Sequence, residues 1–98
     1  MSKLHMKGYI LQTLQRQQEG LWDHQIAQQV LDEYGLRGEY WRGNVRLTLT
    51  DLHAGGLLEE VDQALDDGSH FGHGKVLFKY RLSPFGLERM RDTGLAHA

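Results

Sequence analysis

The first third of the chain carries two apolar stripes with the period of an α-helix. Residues 4–18 form the first stripe, and its apolar members are Met6, Tyr9, Ile10, Leu11 and Leu14. Gly20 breaks this helix, and Leu21 and Trp22 follow as a short extended segment. Asp23 is a suitable N-cap for a second helix and Gly35 a suitable C-cap. Its inward residues are Ile26, Val30, Leu31 and Tyr34.

The segment "WRGNVRLTLTDLHAGG" predicts a third helix, which begins between Trp41 and Asn44 and ends at a pair of glycines. Val45, Leu49 and Leu52 fall at helical spacing and are expected to face the core. If so, the outward residues are Gly43, Arg46, Leu47 and Thr50, with Arg42 and His53 at the flank.

The remaining segments predict an antiparallel hairpin over residues 57–82 and a last helix. "LLEEVDQAL" and "KVLFKYRL" are strand-like, and strict alternation puts Val76, Phe78, Tyr80 and Leu82 on one face of the second strand. Residues 66–74 form the loop between the strands. Ser83 caps a fourth helix that has Pro84 at its first position and runs to Thr93 before Gly94.

The order helix, short strand, helix, helix, strand, strand, helix is that of a winged helix-turn-helix. "ILQTLQRQQEGLWDHQIAQQV" resembles the first two helices of PadR-like transcription regulators, and "GNVRLTLTDLHAGGLLEE" resembles their third helix and its turn into the wing. "YRLSPFGLERM" is similar to the segment that joins the wing to the last helix in PadR-like and MarR-like proteins. The resemblance implies an α+β fold with a three-helix core, a two-stranded antiparallel wing and a short C-terminal helix.

Three features depart from the PadR-like pattern. Asp23 and His24 stand where glycine and tyrosine are usual, and Arg46 stands where an aromatic residue is usual. An acid, Asp51, occupies a position that is often basic. Few residues follow Pro84 to build the long C-terminal dimerisation helix of that family, so a homodimer would use another surface, such as the first and last helices.

Composition limits the classes of protein that fit. The 98 residues suffice for a single domain, taken as residues 1–98, and the absence of cysteine excludes disulfides and thiolate chemistry. No membrane span or signal peptide is predicted, so we expect a cytoplasmic protein. The net charge of −2 provides no general attraction to nucleic acid, so any DNA binding requires a local basic patch.

The third helix and the turn before it supply candidates for DNA contact. Arg42, Asn44, Arg46 and Thr50 are residue types that hydrogen-bond phosphates and base edges. An outward Leu47 would contact thymine methyl groups, and Arg37 would reach a phosphate beside the groove. The alternatives are that the arginines only solvate an exposed helix face and that Leu47 packs on a neighbouring chain.

The loop "DDGSHFGHGK" allows several interpretations. It is not a phosphate-binding P-loop, because Lys75 precedes valine and a strand follows. His70 and His73, with Asp66 or Asp67, would supply zinc ligands, but an exposed glycine-rich turn offers no rigid geometry, and we expect no metal or cofactor. As a wing tip, His70, His73 and Lys75 would contact the phosphate backbone, and a purely solvated loop is the alternative.

These features favour a DNA-binding transcription regulator over an enzyme. No nucleophile motif is present, and a core of this size leaves little room for a substrate pocket. Trp22, Tyr40 and Trp41 are expected to pack in the core or at its edge. Double-stranded DNA is the expected partner, bound by a dimer at half-sites about 34 Å apart. The competing class is a protein-interaction module that uses Leu47 and the acidic wing segment "EEVDQALDD".

Overall fold

The helices and strands follow one another along the chain in the predicted order, and together they form an α+β domain. The structure is a computed structural model that describes residues 5–94. Within that range there are four helices and one three-stranded antiparallel sheet. The elements are α1 (Met6–Gln15), β1 (Leu21–Trp22), α2 (Asp23–Tyr34), α3 (Glu39–Ala54), β2 (Leu58–Leu65), β3 (Val76–Leu82) and α4 (Pro84–Thr93).

The core lies where the apolar faces of the first three helices meet one face of the sheet. Most of its members from α1, α2 and α3 are those that the helical spacing predicts, including Ile10, Ile26 and Leu49, each at most 1% exposed, and Ala27 is an additional member that was not predicted. The cluster also contains Leu58 of β2, Tyr80 of β3 and Met90 of α4. Removing this apolar surface from water is the main source of stability.

The sheet has three strands rather than the two expected for the wing. β3 lies in the centre, and β1 pairs with it through Leu21 opposite Tyr80. β2 pairs with β3 along its length, with an irregularity in register at Val61, between Glu60 and Asp62. The short extended segment Leu21–Trp22 thus forms a strand, because the edge of β3 opposite β2 is free to pair with it.

The alternation predicted for β3 holds toward the core and fails at the hairpin end. Tyr80 is buried, and Phe78 and Leu82 pack against the core cluster. Val76, in contrast, is 36% exposed. Leu77 is 5% exposed although alternation assigns it to the opposite face.

Two helix boundaries differ from the prediction. α1 ends at Gln15 instead of residue 18, because Arg16 and Gln17 leave the helix in tight turns that bond back to Thr13 and Leu14. The predicted start at Leu4 lies outside the described residues. α2 begins at Asp23 itself, and Trp22 occupies the N-cap position, where its N–H donates to the side chain of Gln25 at 2.9 Å.

α3 begins at Glu39, two residues before the earliest predicted start. Gly38 has φ +99°, a conformation that glycine adopts without strain, and its carbonyl accepts the first helical bond from Arg42. Tyr40 therefore lies in the first turn and is 73% exposed, which overturns the prediction that it packs in the core or at its edge. Trp41 is half-buried against the core, as expected.

α4 is tied to the start of the hairpin by its cap. The Ser83 hydroxyl accepts from the Gly86 N–H at 2.8 Å and donates to the Gly56 carbonyl at 2.6 Å, and the Ser83 N–H donates to the carbonyl of Leu57. The predicted serine cap is thus confirmed. None of the helices within residues 5–94 combines the length and hydrophobicity of a membrane span.

Candidate functional site

The hairpin loop, residues 66–75, is organised around the carboxylate of Asp66. Asp66 is only 3% exposed, and its side chain accepts N–H bonds of 2.6–3.3 Å from Gly68, His70, Phe71 and Gly72. Burial alone raises the pKa of this carboxyl, but the four donors outweigh burial and hold its pKa far below the ordinary value. The loop is therefore built around an ionised side chain and differs from a merely solvated turn.

Phe71 in the hairpin loop is held by two arginines of α3. The guanidinium carbon of Arg46 lies 4.6 Å from the centroid of the Phe71 ring, and that of Arg42 lies 5.6 Å from it. Arg42 also donates from Nη2 to the carbonyl of His70 at 3.2 Å. Cation–π contacts at these distances attract, so the loop is fixed on α3.

Arg46 makes further contacts that cross from α3 to the sheet. Its Nη2 donates to the carbonyl of Val76 at 3.0 Å, and its Nε lies 4.0 Å from Oδ2 of Asp23. The Arg46 side chain is consequently only 26% exposed, although helical geometry places it outward. Arg46 thus links α3 to the sheet within the fold, and it is also a candidate contact to DNA.

Asp23 connects the start of α2 to the sheet instead of capping α2. Its carboxylate accepts from the N–H of His24 at 2.8 Å and from the N–H of Phe78 at 3.1 Å. Burial raises the pKa of Asp23 above its ordinary value, against the lowering effect of those two bonds and of the Arg46 charge. The side chain is 2% exposed, so its charge depends on these partners.

A stack of aromatic rings joins α2 to the hairpin loop. The rings of His24 and His70 are stacked, with centroids 3.6 Å apart and planes inclined by 10°. Trp22 lies on the His24 side of the stack, at a centroid distance of 6.4 Å. Burial lowers the pKa of His24, and the adjacent His70 lowers it further, against the raising effect of Asp23 and Asp66.

Between α3 and the hairpin loop lies an open groove of about 680 Å³. Of the nine residues that the sequence nominates for DNA contact, seven line it: Arg42, Asn44, Arg46, Leu47, Thr50, His70 and Lys75. Its three cationic side chains, those of Arg42, Arg46 and Lys75, outnumber its two acids, Asp23 and Glu39. The groove is therefore more basic than the chain as a whole, whose net charge is −2.

Two large apolar side chains of α3, Tyr40 and Leu47, are exposed in the groove lining. Leu47 is 68% exposed, as predicted, and Tyr40 lies two turns before it. The Thr50 hydroxyl donates to the carbonyl of Arg46 at 3.0 Å, which leaves its oxygen free to accept. Asp51 is exposed one turn after Leu47.

The other two nominated residues lie outside the groove lining. Arg37 is exposed in the turn between α2 and α3, and His73 is exposed in the hairpin loop. Within residues 5–94, no three histidine, aspartate or glutamate side chains are grouped as a metal-ligand set.

Four residues that shape this site were not among the residues nominated for DNA contact. Phe71 and Asp23 act through arginines that are distant in the chain, and His24 acts through a ring in the hairpin loop. For Asp66 a signal exists, because an aspartate two residues before a glycine is typical of a side chain that caps its own loop. The structure shows capping of this kind, because the Asp66 carboxylate accepts from the Gly68 N–H at 2.9 Å, and the side chain is also buried.

Comparison with known proteins adds no family to this description. The chain matches no protein-family model, and no curated protein or solved structure is significantly similar to it.

Proposed function

We propose that this protein is a winged-helix DNA-binding regulator, most similar in its motifs to PadR-like proteins. In this proposal α3 enters the major groove and the hairpin formed by β2 and β3 is the wing, with its loop on the phosphate backbone. The order of helices and strands and the position of the hairpin beside α3 support it.

The observation that carries the proposal is the convergence of the nominated residues on one groove. They come from two segments about 20 residues or more apart in sequence, and their hydrogen-bonding types suit phosphates and base edges. α3 itself carries five of them, and the fold adds His70 and Lys75 of the hairpin loop to the same groove.

The contacts in the groove suggest different roles for its cations. Arg46 already binds Val76, Asp23 and Phe71, so its role is to position the wing. Arg42 donates to one carbonyl, and a guanidinium has five N–H donors, so it retains donors for a phosphate. Lys75 is exposed at the groove edge and suits a second phosphate contact.

The face of α3 next to these cations would read bases. Asn44 is a residue type that pairs with adenine, and the free acceptor of Thr50 suits an amino group of adenine or cytosine. Leu47 would contact a thymine methyl group, which gives its exposure a use.

A homodimer is part of the proposal. With a net charge of −2 and few basic side chains in the groove, one subunit would neutralise few phosphates. Two copies on half-sites about 34 Å apart double the number of contacts without doubling the entropy cost of association.

Fluorescence anisotropy with a pool of labelled random duplexes tests the proposal across a series of salt concentrations. We expect affinity that falls with salt, with a slope of about 0.9 log units for each phosphate contacted. Lys75→Gln should reduce that slope by about 0.9. The matched control is Arg89→Gln, which removes the same charge from an exposed residue of α4 that does not line the groove.

Equal slopes for Lys75→Gln and Arg89→Gln would exclude the groove as the DNA-binding surface. A lack of binding by the parent protein even at low salt would exclude DNA binding altogether.

One observation favours a second candidate, a protein-interaction module. Tyr40 and Leu47 are 73% and 68% exposed on the same helix, and large apolar side chains in that position are common at protein interfaces. β2, which contacts α3, carries the acids Glu59, Glu60 and Asp62. This candidate predicts no duplex binding at low salt, and self-association in sedimentation that Leu47→Ser weakens without changing the melting temperature.

A further inference from the structure

The His24–His70 pair joins two segments whose relative position defines the groove. His24 lies in the first turn of α2, and His70 lies in the hairpin loop that forms one wall of the groove. Their rings are parallel within 10° at a centroid separation of 3.6 Å, which is shorter than the usual spacing of aromatic pairs in proteins. Contact this close, face to face, is stable only while the two rings do not both carry a positive charge.

The groups around the pair do not offset two positive charges. From α2 the neighbouring charge is Asp23, from the loop it is Asp66 with Asp67, and from α3 it is the cation Arg42. Asp23 is already bonded to two N–H groups and faces Arg46, and Asp66 is saturated by four loop N–H donors. Arg42 adds to the repulsion instead of reducing it.

The loop depends on a small number of contacts beyond its own hydrogen bonds. Arg42 donates to the carbonyl of His70, and the arginines hold the adjacent Phe71. A displacement of the loop backbone at His70 therefore moves the acceptor of Arg42. His70 therefore links the stacked pair to Arg42, the proposed phosphate contact, because its ring belongs to the pair and its carbonyl accepts from Arg42.

We propose that His24 and His70 form a pH-sensitive latch, which holds the hairpin loop on α2 at neutral pH and opens on acidification. The charge change of a histidine ordinarily falls between about pH 5 and 8, so acidification drives the pair toward the doubly charged state that this stacking opposes. Opening separates the rings and removes the carbonyl acceptor from Arg42. This inference rests on the proposed function in one respect: the released Arg42 and the two new charges would then strengthen phosphate binding.

The latch itself is tested without DNA, by following the histidine ring signals in NMR spectra from pH 8 to pH 4.5. We expect His70→Gln to raise the titration midpoint of His24 by about one pH unit, the scale of strongly interacting sites. In the parent protein, the amide signals of Phe71 and Gly72 should shift together with the His24 ring. In His70→Gln that common shift should be absent.

His73→Gln is the matched control, because His73 lies in the same loop but is exposed and outside the stack. This variant should leave the His24 midpoint where it is in the parent. An unchanged His24 midpoint in a folded His70→Gln protein, or an equal shift in His73→Gln, would overturn the latch. The amide spectrum at pH 7.5 verifies that each variant is folded, and His24→Gln gives a second, reciprocal measurement on His70.

The consequence for DNA is tested by anisotropy at pH 7.5 and 5.5 at constant salt. We expect the parent to bind about tenfold more tightly at the lower pH, the gain of roughly one phosphate contact at about 0.1 M salt. The double variant His24→Gln, His70→Gln should lose most of this gain, and His53→Gln, which alters an exposed histidine outside the groove lining, should keep most of it. The same pH dependence in parent and double variant would overturn the link between latch and binding. Coupled ring titrations without DNA binding at any pH would confirm the latch and refute the proposed function.

Discussion

Arg46 of α3 lies over the ring of Phe71 at 4.6 Å and at the same time hydrogen-bonds the carbonyl of Val76. One side chain thus joins the third helix to both the loop and the strand of the hairpin. For this reason Arg46→Ala is a poor test of DNA contact, because it removes a link within the fold together with any contact to a ligand.

Phe71→Leu should lower the free energy of unfolding by about 1 kcal/mol. Leucine keeps the apolar character of the site but has no aromatic face for the two guanidinium groups, and the expected loss is that of a partly desolvated cation–π contact. Urea denaturation followed by circular dichroism measures the change. Phe85→Leu, at a 48% exposed position, should change stability less, and equal losses in the two variants would rule out a special role for the Phe71 ring.

Asp66→Asn should destabilise the hairpin loop at neutral pH and reduce the acid sensitivity of the protein. The pKa of Asp66 is lowered in the folded state, so the folded protein keeps the charge at a pH where the unfolded chain is protonated. The stabilisation is therefore complete above about pH 5 and is lost as the pH falls below about 4. The difference in melting temperature between parent and variant should be large at pH 7 and shrink toward pH 3.

Asp92→Asn provides the control, since it alters an exposed aspartate of α4. Its melting temperature should follow that of the parent at each pH. A parent–variant difference for Asp66→Asn that does not change with pH would contradict the assignment of the lowered pKa to this carboxylate.

Two helical glycines should respond to alanine in opposite directions. A Cβ on Gly86 would lie 2.2 Å from the carbonyl oxygen of Leu57 and 2.9 Å from Cδ1 of Leu82, so the chain must shift, at a cost of about 1–3 kcal/mol or more. A Cβ on Gly43 meets nothing within 4 Å. Gly43→Ala should therefore raise the free energy of unfolding by about 0.5–1 kcal/mol through the better helix propensity of alanine.

Thermal unfolding of both variants measures the contrast. If Gly86→Ala did not lower the melting temperature, the close approach of α4 to Leu57 would be wrong, and if Gly43→Ala did not raise it, the open surroundings of Gly43 would be wrong.

Asp51→Asn tests whether the outer face of α3 approaches phosphates. Asp51 is exposed one turn after Leu47, so it would repel a duplex bound along that face. We expect a gain in affinity of several-fold at low salt that disappears at high salt, because screening suppresses repulsion between exposed charges. Asp92→Asn should give no gain in the anisotropy measurement, and an equal gain from both variants would indicate only a general effect of net charge.

The helices and strands could be predicted because their signals are local. The spacing of Val45 and Leu49 and the Ser83–Pro84 cap each depend on residues within a few positions, and the structure has them as expected. The start of α3 was misplaced because Gly38 supplies a backbone conformation that allows an earlier first turn. The spacing of apolar residues does not predict that backbone conformation of Gly38.

The interior of the candidate site was harder to predict because its contacts are distant in sequence. Arg46 was expected to project freely from α3, but its guanidinium donates to the carbonyl of Val76. The two residues are 30 positions apart in sequence, so only the folded chain brings them together. Asp23 was expected to cap α2, and its actual partner is the N–H of Phe78. Residue type indicated hydrogen-bonding capacity in both cases, and tertiary structure determined where it was used.

The central position of β3 governs when this domain can assemble. β1 and β2 both pair with β3, which is the last strand of residues 5–94, so neither has a partner until Val76–Leu82 is available. A two-residue strand such as β1 cannot persist alone, and its pairing of Leu21 with Tyr80 closes residues 21–80, two thirds of the described residues. During synthesis the first three helices would therefore emerge with one side of their core uncovered, and folding would be completed in a late step by a contact of long sequence separation.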